Sequence, residues 1–340
     1  MSLRPGGPTR LSLPVVAVLL LGWVLPLAAL AQASTADPLP SWNEGPVKQA
    51  LVGFVTRVTT EGSPDFVPER ERIAVFDNDG TLWQEKPAVE GAFLVKRVRE
   101  MAAKDPSLRR RQPFKAVLEG DVDTLMDGGE KTLMELVAAT HADMTQEEFQ
   151  AEVRQFLKTA RHPKLGVPYT QLAYQPMLEL LRYLRDHGFQ TWISSGGGID
   201  FMRVFSESLY GIPPQQVIGS SLEEKFETRD GQAVLWREPR VDHINDKAGK
   251  PVGNDLHVGR SPVLVAGNVR SGGDIAMLKA SRLRHGPSFQ LLINHDDARR
   301  EFAYQEKDGA SLRAAREGGW TVVSMRDDWK TVFAAPAPPR

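Results

Sequence analysis

Asp77 and Asp79 stand one residue apart, directly after four apolar residues, Ile73-Ala74-Val75-Phe76, and before Gly80-Thr81-Leu82-Trp83. A short apolar run bounded by turn residues predicts a strand buried in a parallel sheet. In open α/β sheets, ligands bind beyond the carboxyl ends of such strands. Side chains alternate along a strand, so the two carboxylates share a side as long as strand geometry persists. Gly80 then lets the backbone leave the sheet sharply. Carboxylates are hard oxygen donors, and Asp-x-Asp-Gly opens like a calcium loop. That loop needs a glutamate at its twelfth position, and counting from Asp77 the twelfth residue is Ala88. The calcium reading fails, and the simple alternative is a solvated turn.

Three later stretches carry residues of related chemistry. The run Phe189 to Ser195 reads as a strand and is followed by Gly196, Gly197 and Gly198. Glycines in that place let backbone N–H groups approach an anion at a helix start. Lys247 and Lys250 lie in Asn245-Asp246-Lys247-Ala248-Gly249-Lys250-Pro251-Val252. Pro262 to Asn268 reads as a further strand, and Asp274 opens Asp274-Ile275-Ala276-Met277.

Taken in order, these stretches resemble the four motifs of the haloacid dehalogenase (HAD) superfamily. The pattern of apolar strand, Asp-x-Asp-Gly-Thr-Leu is the first motif. It implies Asp77 as nucleophile and Asp79 as general acid/base, with Thr81 beside the bound phosphate. Ser-Gly-Gly resembles the second motif in its phosphoserine phosphatase-like form, so Ser195 and the amide of Gly196 would hold phosphate. The third motif is a lysine at a helix start. Both Lys247 and Lys250 qualify, and the distance of 21 residues from Lys247 to Asn268 fits the family better. The fourth motif is normally two acids. Here Asn268 occupies the first place and Asp274 the second. An amide oxygen is a hard ligand without charge. The implied metal set is Asp77, Asp79, Asn268 and Asp274, and the implied cofactor is Mg²⁺.

The implied fold is an α/β doubly wound parallel sheet with an inserted helical cap. The implied reaction is hydrolysis of a small phosphomonoester through an aspartyl-phosphate on Asp77. A carboxylate is a weak nucleophile and needs positive charge beside it to approach a phosphate dianion. Rival readings are phosphotransfer to an alcohol, phosphonate C–P cleavage, or a catalytically degenerate binding protein. Asp79 argues against dehalogenation, because true dehalogenases lack the second aspartate. In phosphoserine phosphatases a glutamate soon after the first motif reads the substrate amine; Glu85 and Glu90 both lie in range.

The remaining chain supplies the elements that position these residues. The sequence has 340 residues, 41% of them hydrophobic and 25% charged, an ordinary globular composition. Arg4 and Arg10 precede an uncharged apolar stretch from Leu11 to Ala31, and small residues follow. Residues 1–33 therefore read as a secretory signal peptide cleaved after Ala31 or Ala33, which predicts an exported, periplasmic protein. The stretch is long enough to span a bilayer, so an uncleaved anchor is the alternative. The absence of cysteine excludes disulfides, thiol catalysis and Cys–metal sites. Net charge is −1, or −3 without a leader carrying two Arg, so nothing points to nucleic acid or a membrane surface. Oligomeric state is not encoded legibly.

The predicted organisation is a linker and helix over 34–72, the first core strand over 73–83, a helical cap over 84–170 and the rest of the core over 171–335. Val47, Leu51, Phe54, Val55 and Val58 fall at helical spacing. Helices are expected through the insertion, one from Thr124 to Ala139 and one after a capping box at Thr145 and Glu148. Arg161, His162 and Lys164 make a basic Pro/Gly loop that could meet substrate from the cap side. Gly219 to Pro239 reads as a hairpin turning at Asp230-Gly231. His295-Asp296-Asp297 reads as a cap of a helix from Ala298 to Tyr304, or else as a second metal site.

Overall fold

The first strand, β1 (Ile73–Phe76), is buried on both faces. Ala74 and Phe76 belong to one apolar cluster, whereas Ile73 and Val75 belong to another on the opposite face. That alternation makes the strand the divider of a layered α/β core. The computed structural model describes residues 37–270 and 272–334; the leader over 1–33 and the proline-rich tail lie outside the described residues.

The chain enters through helix α1 (Pro46–Thr59), which buries Leu51, Phe54, Val55 and Val58 as its spacing predicts. Each such side chain contributes about 1.5–3 kcal/mol of burial free energy. After β1 comes the helical insertion: α2 (Val89–Lys104), α3 (Phe114–Glu119), α4 (Val122–Asp127), α5 (Gly129–His141), the two-residue strand β2 (Met144–Thr145) and α6 (Gln146–Thr159). Val98, Phe114 and Leu136 form its own small core. Phe149, Val153 and Phe156 of α6 instead join the larger cluster of the sheet. The expected capping box at Thr145 and Glu148 is present with both reciprocal hydrogen bonds. One expected helix differs: residues 124–139 are split between α4 and α5. Gly128-Gly129 breaks them, with Gly129 at φ 60°, a conformation that glycine adopts without steric cost.

The chain then returns through α7 (Gln175–Asp186), β3 (Gln190–Gly198), α8 (Ile199–Arg203) and α9 (Ser206–Tyr210). Next come β4 (Val217–Arg229), β5 (Gln232–His243), α10 (Gly249–Val258), β6 (Leu264–Asn268), α11 (Ile275–Ala280), β7 (Phe289–Asn294), α12 (Ala310–Gly318), β8 (Thr321–Ser324) and α13 (Met325–Asp328). The sheet order is β2-β5-β4-β3-β1-β6-β7-β8. β1 pairs in parallel with β3 on one side and β6 on the other. The chain order reverses about β1, so a crevice opens at the carboxyl ends of β1, β3 and β6. The motif residues Asp77, Ser195 and Asn268 sit at those three strand ends.

The expected hairpin is β4 and β5, turning at Asp230 (φ 50°) and Gly231 (φ 78°). Two successive positive φ angles are the mark of the tight turn that matches strand twist. Its function in the architecture was not legible: β5 also pairs with β2, Arg237 opposite Met144. Arg237 is 3% exposed. It donates to the His141 carbonyl at 2.7 Å, to Gln146 Oε1 at 2.5 Å and to Asp200 Oδ2 at 2.5 Å. Its guanidinium also lies 4.1 Å from the centre of the Phe149 ring. One arginine thus joins hairpin, insertion and α8.

Residues 298–304 are a turn, not the expected helix. Asp297 accepts from the amides of Arg299 and Arg300, both at 3.1 Å. Arg300 spends its guanidinium on Asp297 and on the carbonyls of Met325 and Trp329. The Tyr304 amide donates to the His295 carbonyl at 2.9 Å and closes the loop. Asp297 thus makes the bonds of a helix cap, but the chain after it is held as a turn by Arg300 and by the Tyr304 amide.

Candidate active site

Asp77 follows the last residue of β1 and its amide donates to the Ala266 carbonyl of β6 at 3.0 Å. That bond fixes where the side chain emerges. Lys250, in the first turn of α10, reaches Asp77 Oδ1 at 2.6 Å and Asp274 Oδ1 at 2.5 Å. Lys250 and Asp274 are 2% and 3% exposed. Close approach at Asp274 depends on Gly267, where a Cβ would lie 2.6 Å from the carboxylate. Lys247 is exposed in the loop before α10 at φ 49°. Of the two candidate lysines, Lys250 is therefore the one that meets the carboxylates, and the preference for Lys247 by spacing is corrected. The three extra residues belong to the turn that precedes the helix.

Thr81 is fully buried, with Oγ1 3.5 Å from Asp77 Oδ2. Asp79 is half-buried, and its Oδ1 accepts from Trp83 Nε1 at 2.7 Å. The glycine turn of β3 supplies the facing wall. Ser195 is 2% exposed and its Oγ accepts from the Gly197 amide at 3.2 Å. Asn245 holds this strand end, donating to Ser194 Oγ at 3.2 Å and to the Ser195 carbonyl at 3.1 Å. A Cβ on Gly197 would stand 2.9 Å from Glu90 Oε2, 3.6 Å from Ser195 Oγ and 3.8 Å from Asp79 Oδ2. Gly197 thus marks the point where Asp79, Ser195 and Glu90 converge. Glu90, in the first turn of α2, accepts from the Gly198 amide at 2.9 Å and lies 3.7 Å from His141 Nε2.

Burial sets the electrostatics. Removal from water pushes the Asp77 carboxyl well up, Asp274 adds to this, and Lys250 opposes it. Burial likewise raises Asp79 against the hydrogen bond from Trp83. Burial lifts Glu90 to about 7, against the Gly198 amide. It lowers His141 to about 3, helped by Arg237, so the imidazole is neutral. Burial would lower Lys250, but the carboxylates of Asp274 and Asp77 outweigh it and raise the ammonium.

Among the described residues, no three His, Cys, Asp or Glu side chains are grouped to hold a metal. Two causes are visible: Lys250 stands between Asp77 and Asp274, and an amide replaces one acid. Asn268 Nδ2 donates to Asp77 Oδ2 at 3.1 Å, to the Asp79 carbonyl at 2.8 Å and to Thr81 Oγ1 at 3.3 Å. Its Oδ1 is buried without a partner. Turned over about its terminal bond, the Asn268 amide would put Oδ1 where Nδ2 stands, beside Asp77 Oδ2 and the Asp79 carbonyl, and those three hard donors would suit Mg²⁺. Asp274 has both oxygens engaged, by Lys250 and by the Asn268 amide at 2.9 Å.

The other candidates are structural. His295 Nε2 meets the Gly80 carbonyl at 2.7 Å and Nδ1 meets Glu301 at 3.0 Å, so it braces the turn after Asp79. His162 is 1% exposed; it contacts the Lys86 carbonyl at 3.0 Å and accepts from the Leu165 amide at 3.0 Å. Lys164 lies 4.3 Å from the centre of the Phe302 ring. Arg161 bonds nearby carbonyls. Glu85 pairs with Arg270. Sequence reasoning passed over Trp83, His141 and Asn245; the first and last lie inside motif segments, which is the one signal that pointed to them.

Comparison with known proteins agrees with the motif order. No curated protein matches the chain. A solved protein of unknown function from Anaerococcus prevotii is 17% identical with a TM-score of 0.53, covering 82% of this chain and 91% of that one. A protein of unknown function from Bordetella pertussis is 17% identical with a TM-score of 0.49, covering 75% of this chain and 99% of that one. A probable phosphoserine phosphatase from Vibrio cholerae is 14% identical with a TM-score of 0.40, covering 76% and 62%. The first of these likenesses supports the fold. The profile of the haloacid dehalogenase-like hydrolases matches residues 74–279, which contain every motif residue above, and the chain belongs to that family.

Proposed function

We propose that the protein is a Mg²⁺-dependent phosphomonoester hydrolase that works through an aspartyl-phosphate on Asp77. The observation that carries this reading is the meeting of Asp77, Asp79, Lys250 and Ser195 beyond adjacent strands, with Gly197 between Asp79 and Ser195. Asp77 attacks phosphorus while the bond to the ester oxygen breaks, and Asp79 gives that oxygen its proton. Asp79 then takes a proton from water, whose oxygen attacks phosphorus and releases Asp77 and inorganic phosphate. Ser195 Oγ and the Gly196 amide hold the phosphoryl oxygens, with Thr81 beside them. Lys250 offsets the charge that gathers on Asp77 and the phosphoryl group. With the Asn268 amide turned so that Oδ1 faces them, Asp77 Oδ2 and the Asp79 carbonyl would join it in holding Mg²⁺, which supplies charge neutralisation at the phosphate; Asp274 acts by anchoring Lys250. The insertion over residues 84–170 is the cap that screens this site from water.

The apolar leader over residues 1–33 argues for export, with an uncleaved anchor as the alternative; N-terminal sequencing of the exported protein is expected to begin after Ala31 or Ala33 if the leader is cleaved. The direct test of activity is release of inorganic phosphate from a panel of small phosphomonoesters by the purified protein with Mg²⁺. Free phosphate equal to alcohol released supports hydrolysis. Phosphate transferred to an acceptor alcohol supports a phosphotransferase instead. No turnover of any ester leaves a binding protein, a reading that Asn268 in place of an acid favours.

A further inference from the structure

We propose that Trp83 is a positioning residue for Asp79, holding one carboxylate oxygen so that the other faces the ester. The inference rests on the phosphatase reading above and deepens it. Trp83 Nε1 lies 2.7 Å from Asp79 Oδ1, and the indole is 1% exposed. An indole N–H only donates, so it can hold a carboxylate but cannot relay a proton from it. Hydrogen bonds to carboxylates are among the stronger ones.

The indole is held by a neighbouring ring, and the backbone that carries it is tied down on both sides. Its ring stacks on Phe205 with centroids 4.5 Å apart and planes at 23°. The backbone carbonyl of Trp83 accepts from the Gly80 amide at 2.8 Å, which folds the loop back on Asp79. The adjacent strands of chain are tied together, Gln84 N to Leu172 O at 3.0 Å and Tyr174 N to Leu82 O at 2.9 Å. These are the segments leaving for the helical insertion and returning from it. The backbone at Trp83 is therefore fixed by that joint, and the buried ring is held by Phe205.

The two oxygens of Asp79 have different surroundings. Oδ1 is taken by the indole. Oδ2 faces Gly197, whose Cβ position would lie 3.8 Å from it, a spot that the Ser195 hydroxyl and the Glu90 carboxyl also border. Oδ2 is accordingly the oxygen that exchanges the proton with the leaving group, and Trp83 selects it. Without the indole N–H, Asp79 can turn about its terminal torsion, which has a broad and shallow profile. The misplaced acid then serves least well those esters that need a proton most.

The test compares phenyl phosphate with p-nitrophenyl phosphate. The two differ by one para-nitro group, and only the phenolate of the first departs poorly without a proton. Positioned acid catalysis contributes about 10²–10⁴-fold. Trp83→Phe, which keeps the ring and loses the N–H, is expected to slow phenyl phosphate about 30-fold and p-nitrophenyl phosphate less than about 3-fold, a partial loss of that acid contribution. Trp83→His, which keeps a ring N–H, and Phe205→Leu, which keeps the indole, are expected to hold the ratio of the two rates near the parent value. An unchanged ratio in folded Trp83→Phe, or a ratio lowered as far by Phe205→Leu, overturns the proposal while the phosphatase reading stands. If Trp83→Phe does not fold, a lowered ratio in Trp83→His overturns it equally. A parent protein that hydrolyses neither ester overturns the phosphatase reading, and this proposal with it.

Discussion

The ammonium of Lys250 lies 2.6 Å from Oδ1 of Asp77, and both side chains are cut off from solvent. On its other side the same ammonium meets Asp274 at 2.5 Å. A cation between two buried carboxylates is the electrostatic centre of the site. Lys250→Met leaves Asp77 and Asp274 facing each other, so it is expected to abolish hydrolysis and to cost about 3–5 kcal/mol of stability. Lys247→Ala is expected to change stability by no more than about 0.5 kcal/mol and to leave turnover intact. Urea unfolding and a p-nitrophenyl phosphate assay on both variants check this.

Glu90 gives a stability prediction with a definite sign. Its folded-state pKa is about 7, raised by burial above the ordinary 4.5. Below pH 4.5 the group is protonated in both folded and unfolded protein and costs nothing. As pH rises from 4.5 to about 7 the unfolded chain releases a proton that the folded protein keeps, so stability falls across that window and levels off above it. Glu90→Gln does not ionise. Its melting temperature is expected to exceed the parent's by about 2–4 °C at pH 8 and to match it near pH 4. Calorimetry at the two pH values decides; equal differences at both show that Glu90 titrates normally.

Arg237 holds three parts of the molecule with one side chain. Arg237→Met keeps much of the volume over Phe149 but leaves Asp200 without its closest cation. The expected cost is about 3–5 kcal/mol, the range for breaking a buried pair. Hydrogen exchange should locate the loss in β5, β2 and α6 rather than in β1 or β6. Uniform loss of protection would show that the arginine supports no particular junction.

The amide at Asn268 bears on the cation. Chelation with EDTA is expected to stop turnover, and Mg²⁺ to restore it. Asn268→Asp adds charge to the donor set and should lower the Mg²⁺ concentration needed for half-maximal activity. Asn268→Ala should raise it. Activity unaffected by EDTA contradicts the assignment of these donors.

The motif strands were legible because parallel strands are short, uninterrupted apolar runs with chemistry at their ends. β1 matches Ile73-Phe76, and β6 begins two residues after Pro262, whereas β3 runs on through Gly198 instead of stopping at Ser195. Spacing alone chose badly between Lys247 and Lys250, because the turn before α10 absorbs residues that a count cannot see. The split at Gly128-Gly129 was visible as two glycines but was outweighed by the apolar periodicity around it. The helix expected after Asp297 failed because Arg300 found its partners in Met325 and Trp329, far along the chain. Arg237 and His141 could not be found at all from sequence, since their roles arise where a hairpin meets an insertion and neither belongs to a periodic pattern.

The central claim is that Asp77 carries the phosphoryl group. Rapid acid quench of the protein turning over p-nitrophenyl phosphate, followed by mass spectrometry of the peptide around residue 77, tests it most directly. The account predicts a phosphorylated Asp77 in the parent, and neither adduct nor turnover in Asp77→Asn. Full hydrolysis by Asp77→Asn would contradict it.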